Sequence, residues 1–325
     1  MYKYNYSVTS SKPHHDRTTS RDMEQSLKDE LPAGCILCKD ESGEPRSIAE
    51  GSFATVYCGE FHSPKFGILP AAVKAGKIPI DEIQTLLECS GHPGIVQIYA
   101  WALRPDDIYG VLVMQRMSTD LLECLLQDKK GDSIISTSNG KSERVMRQML
   151  DAITFLHSKQ IAHCDVKPEN VLVDLFAEGG PDAKLADFGL ARNFTEAEQH
   201  ICCGTEKYRA PEIPSVCHLD IADVWPLGIL LYVLVYGDWP PDEGQMDESY
   251  PPMPTPSHPD VTKWLNAIRD MLTGDRENRP SIAIIQARYP ALGVTDVLRS
   301  RTNTCPATPP PTKKRRIMDG VENPH

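Results

Sequence analysis

The sequence predicts an α+β chain of two lobes, a small β-rich one up to about residue 117 and a larger, mostly helical one after it. Three observations carry that expectation. Between residues 46 and 117, short β-like segments dominate: "SFATVYCGEF", "AAVKAG", "IVQIYAWAL" and "YGVLVMQRM". After residue 118 the apolar spacing turns helical, over 120–127, 142–158, 221–236 and 260–272. A length of 325 residues at 40% hydrophobic content suffices for one large domain, or two lobes sharing a cleft.

Along the chain, residues 1–35 read as a disordered N-terminal tail, because the first thirty or so are rich in Ser, Thr, Lys, Asp and His with little to bury. Residues 36–297 form the folded domain, and 298–325 a Pro-rich basic C-terminal tail. One helical stretch, "PIDEIQTLLECSG", interrupts the strands, with Ile83, Leu86 and Leu87 at i, i+3, i+4 spacing. The longest apolar run, "PLGILLYVLVYG" at 226–237, is too short to span a bilayer and reads as a buried helix, so no membrane partner is expected.

Composition narrows the function. A net charge of −11 argues against nucleic acid as the main partner. Ten Cys lie scattered without a repeating spacing, which argues against zinc and for reduced thiols. The polar start "MYKYNYSVTSSKPHHDRTTS" lacks the apolar core of a secretory signal, so an intracellular chain, nuclear or cytoplasmic, is expected.

The chemistry concentrates in two stretches, "HCDVKPENVLV" and "LADFGLA". Asp165 can accept a proton from, or orient, an attacking hydroxyl. Lys167 can neutralise charge on a transferred phosphoryl group, while Asn170 and Asp187 offer hard oxygens suited to Mg²⁺. Either stretch alone fits a polar turn beside a hairpin; both in this order make coincidence improbable. Upstream, "IAEGSFATVY" offers backbone amides for phosphate oxygens, yet Gly51 is its one glycine where a G-x-G-x-x-G pattern has three. Taken alone it reads better as a hairpin with a Gly turn. Lys74 in "AAVKAG" sits in an alternating strand that can aim it into the cleft, and either Glu82 or Glu88 can pair with it.

With these residues in place, the chain resembles the eukaryotic protein kinases over roughly residues 46–285. The matching motifs are "IAEGSFATVY", "AAVK", "HPGIV", "HCDVKPEN", "DFG", "GTEKYRAPE", "ADVWPLG" and "RENRP". "KPEN" after Asp165 is similar to the serine/threonine group. The resemblance implies a bilobal kinase fold, the cofactors ATP and Mg²⁺, and protein substrates carrying Ser or Thr, with a regulatory protein partner also open. It implies that Ile48, Gly51, Ser52, Phe53, Val56 and Ala72 cover the nucleotide. Lys74 would contact the α- and β-phosphates and pair with Glu82, whose place ten residues before His92 suits the pattern better than that of Glu88. Met114 would back the adenine pocket, the backbones of Gln115 and Met117 would bind adenine, Asp120 would lie near the ribose and Leu172 under the adenine ring. Asp165 would be the catalytic base, Lys167 the γ-phosphate partner, and Asn170 and Asp187 the metal ligands. Thr205 would help place Asp165, Asp223 would anchor the catalytic loop, Glu212 and Arg279 would form a buried ion pair, and His163 and His92 would be structural.

Departures from the pattern refine the expectation. Many family members carry an Arg at the place of Cys164, where it grips a phosphate on the activation loop. Cys cannot do this. Between Phe194 and Gly204 the loop's one hydroxyl is Thr195, so activity independent of loop phosphorylation is expected. Cys164, Cys202 and Cys203 admit a redox reading beside the plainer one of small residues replacing a charge network. Ala49 and Ala54, standing for two glycines, alter the phosphate loop without erasing it. Arg209 in "YRAPE" is similar to the branch holding cyclin-dependent and mitogen-activated kinases, and "KKRR" at 313–316 fits a nuclear-import signal. The leading reading is an active serine/threonine kinase. The alternatives are a pseudokinase scaffold, free to lose Lys74, Asp165, Asn170 or Asp187, and a small-molecule phosphotransferase, against which "GTEKYRAPE" speaks.

Overall fold

The computed structural model describes residues 31–51, 53–104, 109–129, 140–194, 204–212, 219, 221–240 and 262–292. Its first part is an antiparallel sheet of β1 (Cys35–Leu37), β2 (Ser47–Glu50), β3 (Ala54–Ser63), β4 (Gly67–Lys77), β5 (Ile98–Leu103) and β6 (Tyr109–Gln115). The strands run in the order β1-β3-β4-β6-β5, with β2 also on β3. Strand β1 extends the expected domain: Cys35, assigned to the tail, opens a strand, because three residues pair with Gly59–Phe61 and Cys35 is buried beside Phe61. The signal was too short for periodicity to register.

Alternation along β3, β4 and β6 divides the sheet's two faces. Register pairs Val56 with Lys74, Cys58 with Ala72, Ala72 with Met114 and Lys74 with Leu112, so all six share the face turned to the rest of the molecule. The other face gathers Phe61, Ala71, Val73, Ala100, Val111 and Val113 into a separate apolar cluster. Helix α1 (Ile80–Glu88) lies against the first face, burying Glu82, Ile83 and Leu86. Glu82 borders the apolar stripe at i, i+1, i+4, which carries this carboxylate inward with it.

The second part packs α2 (Leu121–Lys129), α3 (Lys141–Ser158), α4 (Val224–Tyr236), α5 (Thr262–Met271) and α6 (Ile282–Arg288). Helix α3 buries Val145, Met146, Met149, Leu150, Ile153 and Leu156, one stripe at helical spacing. Helix α4 is buried at every position from Val224 to Val235, the core helix that its run predicts, each fully buried Leu or Val contributing about 1.5–3 kcal/mol relative to exposure. Pro226 is accommodated because it falls in the first turn, where no intrahelical N–H bond is lost. Among the described residues, no helix is long and apolar enough to cross a membrane.

Between the two parts run β7 (Thr119–Asp120), β8 (Ile161–Ala162), β9 (Val171–Asp174), β10 (Asp182–Leu185) and β11 (Arg192–Asn193). The β9–β10 hairpin pairs Val171 with Leu185. A parallel bridge from Ile95 to Leu185 ties it to the segment after α1, with Val96 N–H donating to Leu185 O at 3.0 Å and Leu185 N–H to Gly94 O at 2.8 Å. Asp165, Asn170 and Asp187 are thus carried at the ends of short strands with little freedom to move apart.

Candidate active site

Lys74, in β4, points off the sheet into the cleft and meets two carboxylates: its Nζ lies 2.6 Å from Glu82 Oε1 and 3.0 Å from Asp187 Oδ1. Burial alone would favour loss of the ammonium proton, but Glu82 and Asp187 outweigh it and hold the Lys74 pKa above its ordinary value. For Asp187, whose side chain is half exposed, partial burial opposes ionisation and Lys74 outweighs it, keeping the carboxyl below its usual range. Glu82, not Glu88, is therefore the partner of Lys74, with its side chain 2% exposed. Asp187 itself takes a left-handed backbone, φ 61°, a region Asp tolerates better than most residues.

Asp165 is 8% exposed and uses both oxygens. Oδ1 accepts from Thr205 N–H at 2.9 Å and Thr205 Oγ1–H at 2.8 Å. Oδ2 accepts from Asn170 Nδ2 at 3.0 Å and lies 2.7 Å from Lys167 Nζ. Lys167 Nζ also donates to Thr205 Oγ1 at 2.8 Å. Asn170 Nδ2 further donates to Asp165 O at 2.8 Å, which commits the amide nitrogen and leaves its oxygen as the donor for a cation. The hairpin brings the two cation-facing groups together: Ala186 N–H donates to Asn170 O at 2.9 Å, and Asp187 is the next residue.

For Mg²⁺ the donor set fits: one carboxylate and one amide oxygen are hard ligands, with nucleotide phosphates and waters to complete the shell. Bound there, the ion would neutralise phosphate charge. Among the described residues, no group of three or more His, Cys, Asp and Glu forms a metal cage.

Behind this cluster stands Asp223, 0% exposed just ahead of α4. Its Oδ2 accepts from His163 N–H at 2.8 Å and lies 2.9 Å from His157 Nε2, and its Oδ1 accepts from Cys164 N–H at 2.8 Å. These bonds hold Cys164 at φ 64°, a left-handed conformation costing an ordinary residue about 1–3 kcal/mol. His163 plays the structural part expected of it, its Nε2 on Ala186 O at 3.0 Å and its Nδ1 accepting from Asp165 N–H at 3.3 Å. Burial would raise the Asp223 pKa, but His157 and the backbone N–H groups outweigh it and the carboxyl is depressed. A depressed folded pKa gives stability that is complete above the unfolded value near 4 and is lost as pH falls below it. Asp223→Asn is accordingly expected to lower urea-unfolding stability at pH 7, by about 1–3 kcal/mol for each buried donor left unpaired. The gap to wild type should close on acidification below about pH 4. A gap independent of pH would remove the carboxylate from this role.

Cys164 is 4% exposed among Ala162, Ala222, Phe194 and Leu219, so apolar packing occupies the place of a charge network. Cys202, Cys203 and Thr195 lie outside the described residues. Gly204 holds φ +80°, and a Cβ there would meet Cys164 O at 2.7 Å. Its freedom is what lets Thr205 reach Asp165, a requirement that the Gly preceding Thr205 carried without any periodic signal. Gly76 is the counterpart at the other end of the site: a Cβ would meet Phe53 O at 2.4 Å, where the β2–β3 turn folds onto β4.

The remaining positions expected to cover the nucleotide are placed as follows. Ile48 lies on β2 and Phe53, 73% exposed, at the turn above the cleft, with Gly51 N–H donating to Ala54 O at 2.9 Å; Ser52 lies outside the described residues. Val56, Ala72 and Met114 share the face of Lys74, and Gln115 and Met117 follow as the connection between lobes, Gln115 N–H donating to Gln97 O at 2.8 Å. Asp120 pairs with Leu172 in register, which sets both at the cleft's floor. Asp120 has a second duty that its sequence context did not announce: Oδ1 accepts from Glu123 N–H at 2.9 Å and caps α2.

Beyond Thr205, Tyr208 Oη–H donates to Glu169 at 3.2 Å and Arg209 Nε–H to Gly204 O at 2.7 Å. Glu212 and Arg279 form the expected ion pair, bidentate at 2.6 and 3.0 Å, over the Trp225 ring. A small hollow lined by Thr205, Tyr208, Arg209 and Pro226 lies beside Asp165.

A lysine–glutamate pair thus stands above an Asp–Lys–Asn loop in a two-lobed α+β fold, an arrangement suited to phosphoryl transfer. The family model described as "Protein kinase domain" matches residues 46–289, and the chain belongs to the protein kinase family. It is similar to "Serine/threonine-protein kinase dkf-1" of Caenorhabditis elegans, 30% identical over 210 residues, 62% of this chain and 28% of the relative. It is likewise similar to "Serine/threonine-protein kinase dkf-2" of Caenorhabditis briggsae, 31% over 224 residues, 64% of this chain and 18% of the relative. With "Serine/threonine-protein kinase D2" of Homo sapiens it shares 30% over 206 residues, 61% of this chain and 23% of the relative. The alignments thus span less than a third of these relatives' length.

Proposed function

We propose that the chain is an active serine/threonine protein kinase, moving the γ-phosphoryl group of MgATP to Ser or Thr hydroxyls of protein substrates. The observation that carries this reading is Lys74 joining Glu82 and Asp187 at 2.6 and 3.0 Å, one hairpin away from the Asp165–Asn170 pair. In the transfer, Asp165 holds the substrate hydroxyl and takes up its proton. The hydroxyl oxygen bonds to phosphorus as the bond to the β-phosphate's bridging oxygen breaks. Lys167 and Lys74 neutralise the phosphate charge, the first from beside Thr205, the second through its fixed carboxylates. Asn170 and Asp187 would hold Mg²⁺, which would neutralise phosphate charge. A radiolabelled ATP assay of the purified chain on a mixed peptide array tests the proposal; label on Ser or Thr is expected. No incorporation would favour the scaffold reading.

We further infer that the activation loop needs no phosphate, because Cys164 sits in an apolar cluster where the phosphate-gripping Arg would stand. Thr195→Ala is expected to retain wild-type activity, and phosphosite mapping of active protein to find Thr195 unmodified. A large loss would refute it. Protein substrates, a regulatory partner and residence in nucleus or cytoplasm belong to the same reading, the "KKRR" at 313–316 favouring import.

A further inference from the structure

We propose that Cys38 and Cys58 are a peroxide-oxidised disulfide pair beside the connection between the lobes, with Arg116 as the cation that prepares Cys58 for oxidation.

Three placements carry this. The β1–β3 register sets Leu37 opposite Gly59, and it continues one step: Cys38 N–H donates to Cys58 O at 2.8 Å, so the two cysteines face each other across the strands. Directly opposed residues of an antiparallel pair have Cβ atoms about 4.5–5.5 Å apart, close to the about 3.5–4.5 Å that a disulfide spans. Second, Arg116 Nη1 lies 2.6 Å from Cys58 Sγ. A guanidinium is always charged, and a cation on sulfur favours the thiolate, which is the nucleophile. Third, Cys58 is 4% exposed whereas Cys38 is half-buried, so a molecule as small as hydrogen peroxide reaches the pair from the Cys38 side.

Burial pushes Cys35 and Cys124 up to about 12, with no guanidinium to oppose it. Cys38 is also raised, by burial and then by its hydrogen bond with Cys58, with Arg116 opposing and Glu60 adding; this suits a thiol that waits and then resolves.

The step balances. The Cys58 thiolate attacks one peroxide oxygen, the O–O bond breaks, and Cys58 becomes a sulfenic acid as hydroxide leaves. Cys38 gives its proton to that hydroxide, and its sulfur attacks the Cys58 sulfur and displaces the second hydroxide, which is protonated to water. Two thiols lose two electrons, and one peroxide is reduced to two waters.

The location gives the bond a consequence. Cys58 pairs in register with Ala72 and shares its face with Val56, while Arg116 lies between Gln115 and Met117. A disulfide takes the Cys58 sulfur from Arg116 and frees the guanidinium next to the adenine-binding backbone. This consequence rests on the kinase reading; the disulfide itself does not.

The test treats reduced full-length chain with hydrogen peroxide, blocks remaining thiols and maps peptides without reductant by mass spectrometry. A Cys38–Cys58 linked peptide that disappears with dithiothreitol is expected, in wild type and equally in Asp187→Ala, where no catalysis is needed. Cys38→Ser should leave a sulfenic acid on Cys58 that dimedone traps. Arg116→Ala should slow closure about tenfold or more, and Arg116→Lys should recover much of the rate. Melting curves establish that each variant is folded. In wild type, oxidation should raise the KM for MgATP several-fold with kcat little changed. Linkage of Cys58 to another cysteine, or closure as fast in folded Arg116→Ala as in wild type, overturns the proposal. Closure with an unchanged KM overturns its connection to the nucleotide site.

Discussion

An Asp187→Ala chain is expected to lose at least about a thousandfold in phosphoryl transfer to peptide, equivalent to about 4 kcal/mol of transition-state stabilisation. The size follows from the two tasks of one carboxylate. Its oxygen is the charged member of the two hard donors in reach of a cation, and it holds Lys74 at 3.0 Å. Losing it removes a cation ligand and relaxes the lysine that would meet the α- and β-phosphates. The fold should survive, because Lys74 keeps Glu82 at 2.6 Å and the Asp187 side chain is half exposed. The melting temperature is therefore expected to stay close to that of wild type while the activity vanishes. Radiolabel incorporation is the measurement. A variant retaining a substantial fraction of wild-type turnover would show that Asp187 is not a ligand in the reaction.

Glu212→Ala is expected to act in the opposite way, through stability. The Arg279 side chain is 0% exposed and held by two Glu212 oxygens, with Nε–H donating to Thr273 O at 3.0 Å. Removing Glu212 strands a buried guanidinium, and breaking such a pair costs about 3–5 kcal/mol. At about 2–4 °C per kcal/mol for a domain of this size, the melting temperature should fall by roughly 6–20 °C. Arg279→Lys should not spare the protein, because an ammonium cannot reproduce the bidentate geometry. Replacing both partners by apolar residues should recover much of the loss. Calorimetry decides it: a shift within a degree or so of wild type would mean that water reaches Arg279 once Glu212 is gone.

Much of the fold was written locally. The alternation in "AAVKAG" and "YGVLVMQRM" led to β4 and β6, and the i, i+3, i+4 spacing of Ile83, Leu86 and Leu87 to α1, with ends displaced by a residue or a few. Helix α4 begins at Val224 where the apolar pattern suggested 221, since Ile221–Asp223 form a turn whose last residue reaches back to the backbone of His163 and Cys164. The choice of Glu82 over Glu88 was legible too, from spacing along the chain. What could not be read were β1, whose three residues are too few to show a period, and the helix-capping duty of Asp120. Equally hidden were the closeness of Gly204 to Cys164 and the meeting of Cys38, Cys58 and Arg116. Each joins residues that are ordinary in their own neighbourhoods.

The amino-acid order by itself determined which chemical groups are present and in what succession: an aspartate, a lysine and an asparagine before one strand, a second aspartate after the next, and a lysine on an alternating strand upstream. Tertiary structure alone decided that Asp223 would grip the backbone of His163 and Cys164 and hold Cys164 left-handed, and that an arginine between the lobes would rest on a strand cysteine. The physical reason is range. Side-chain periodicity is a property of a few consecutive residues, whereas a hydrogen bond between residues some sixty positions apart exists only once packing has fixed both ends.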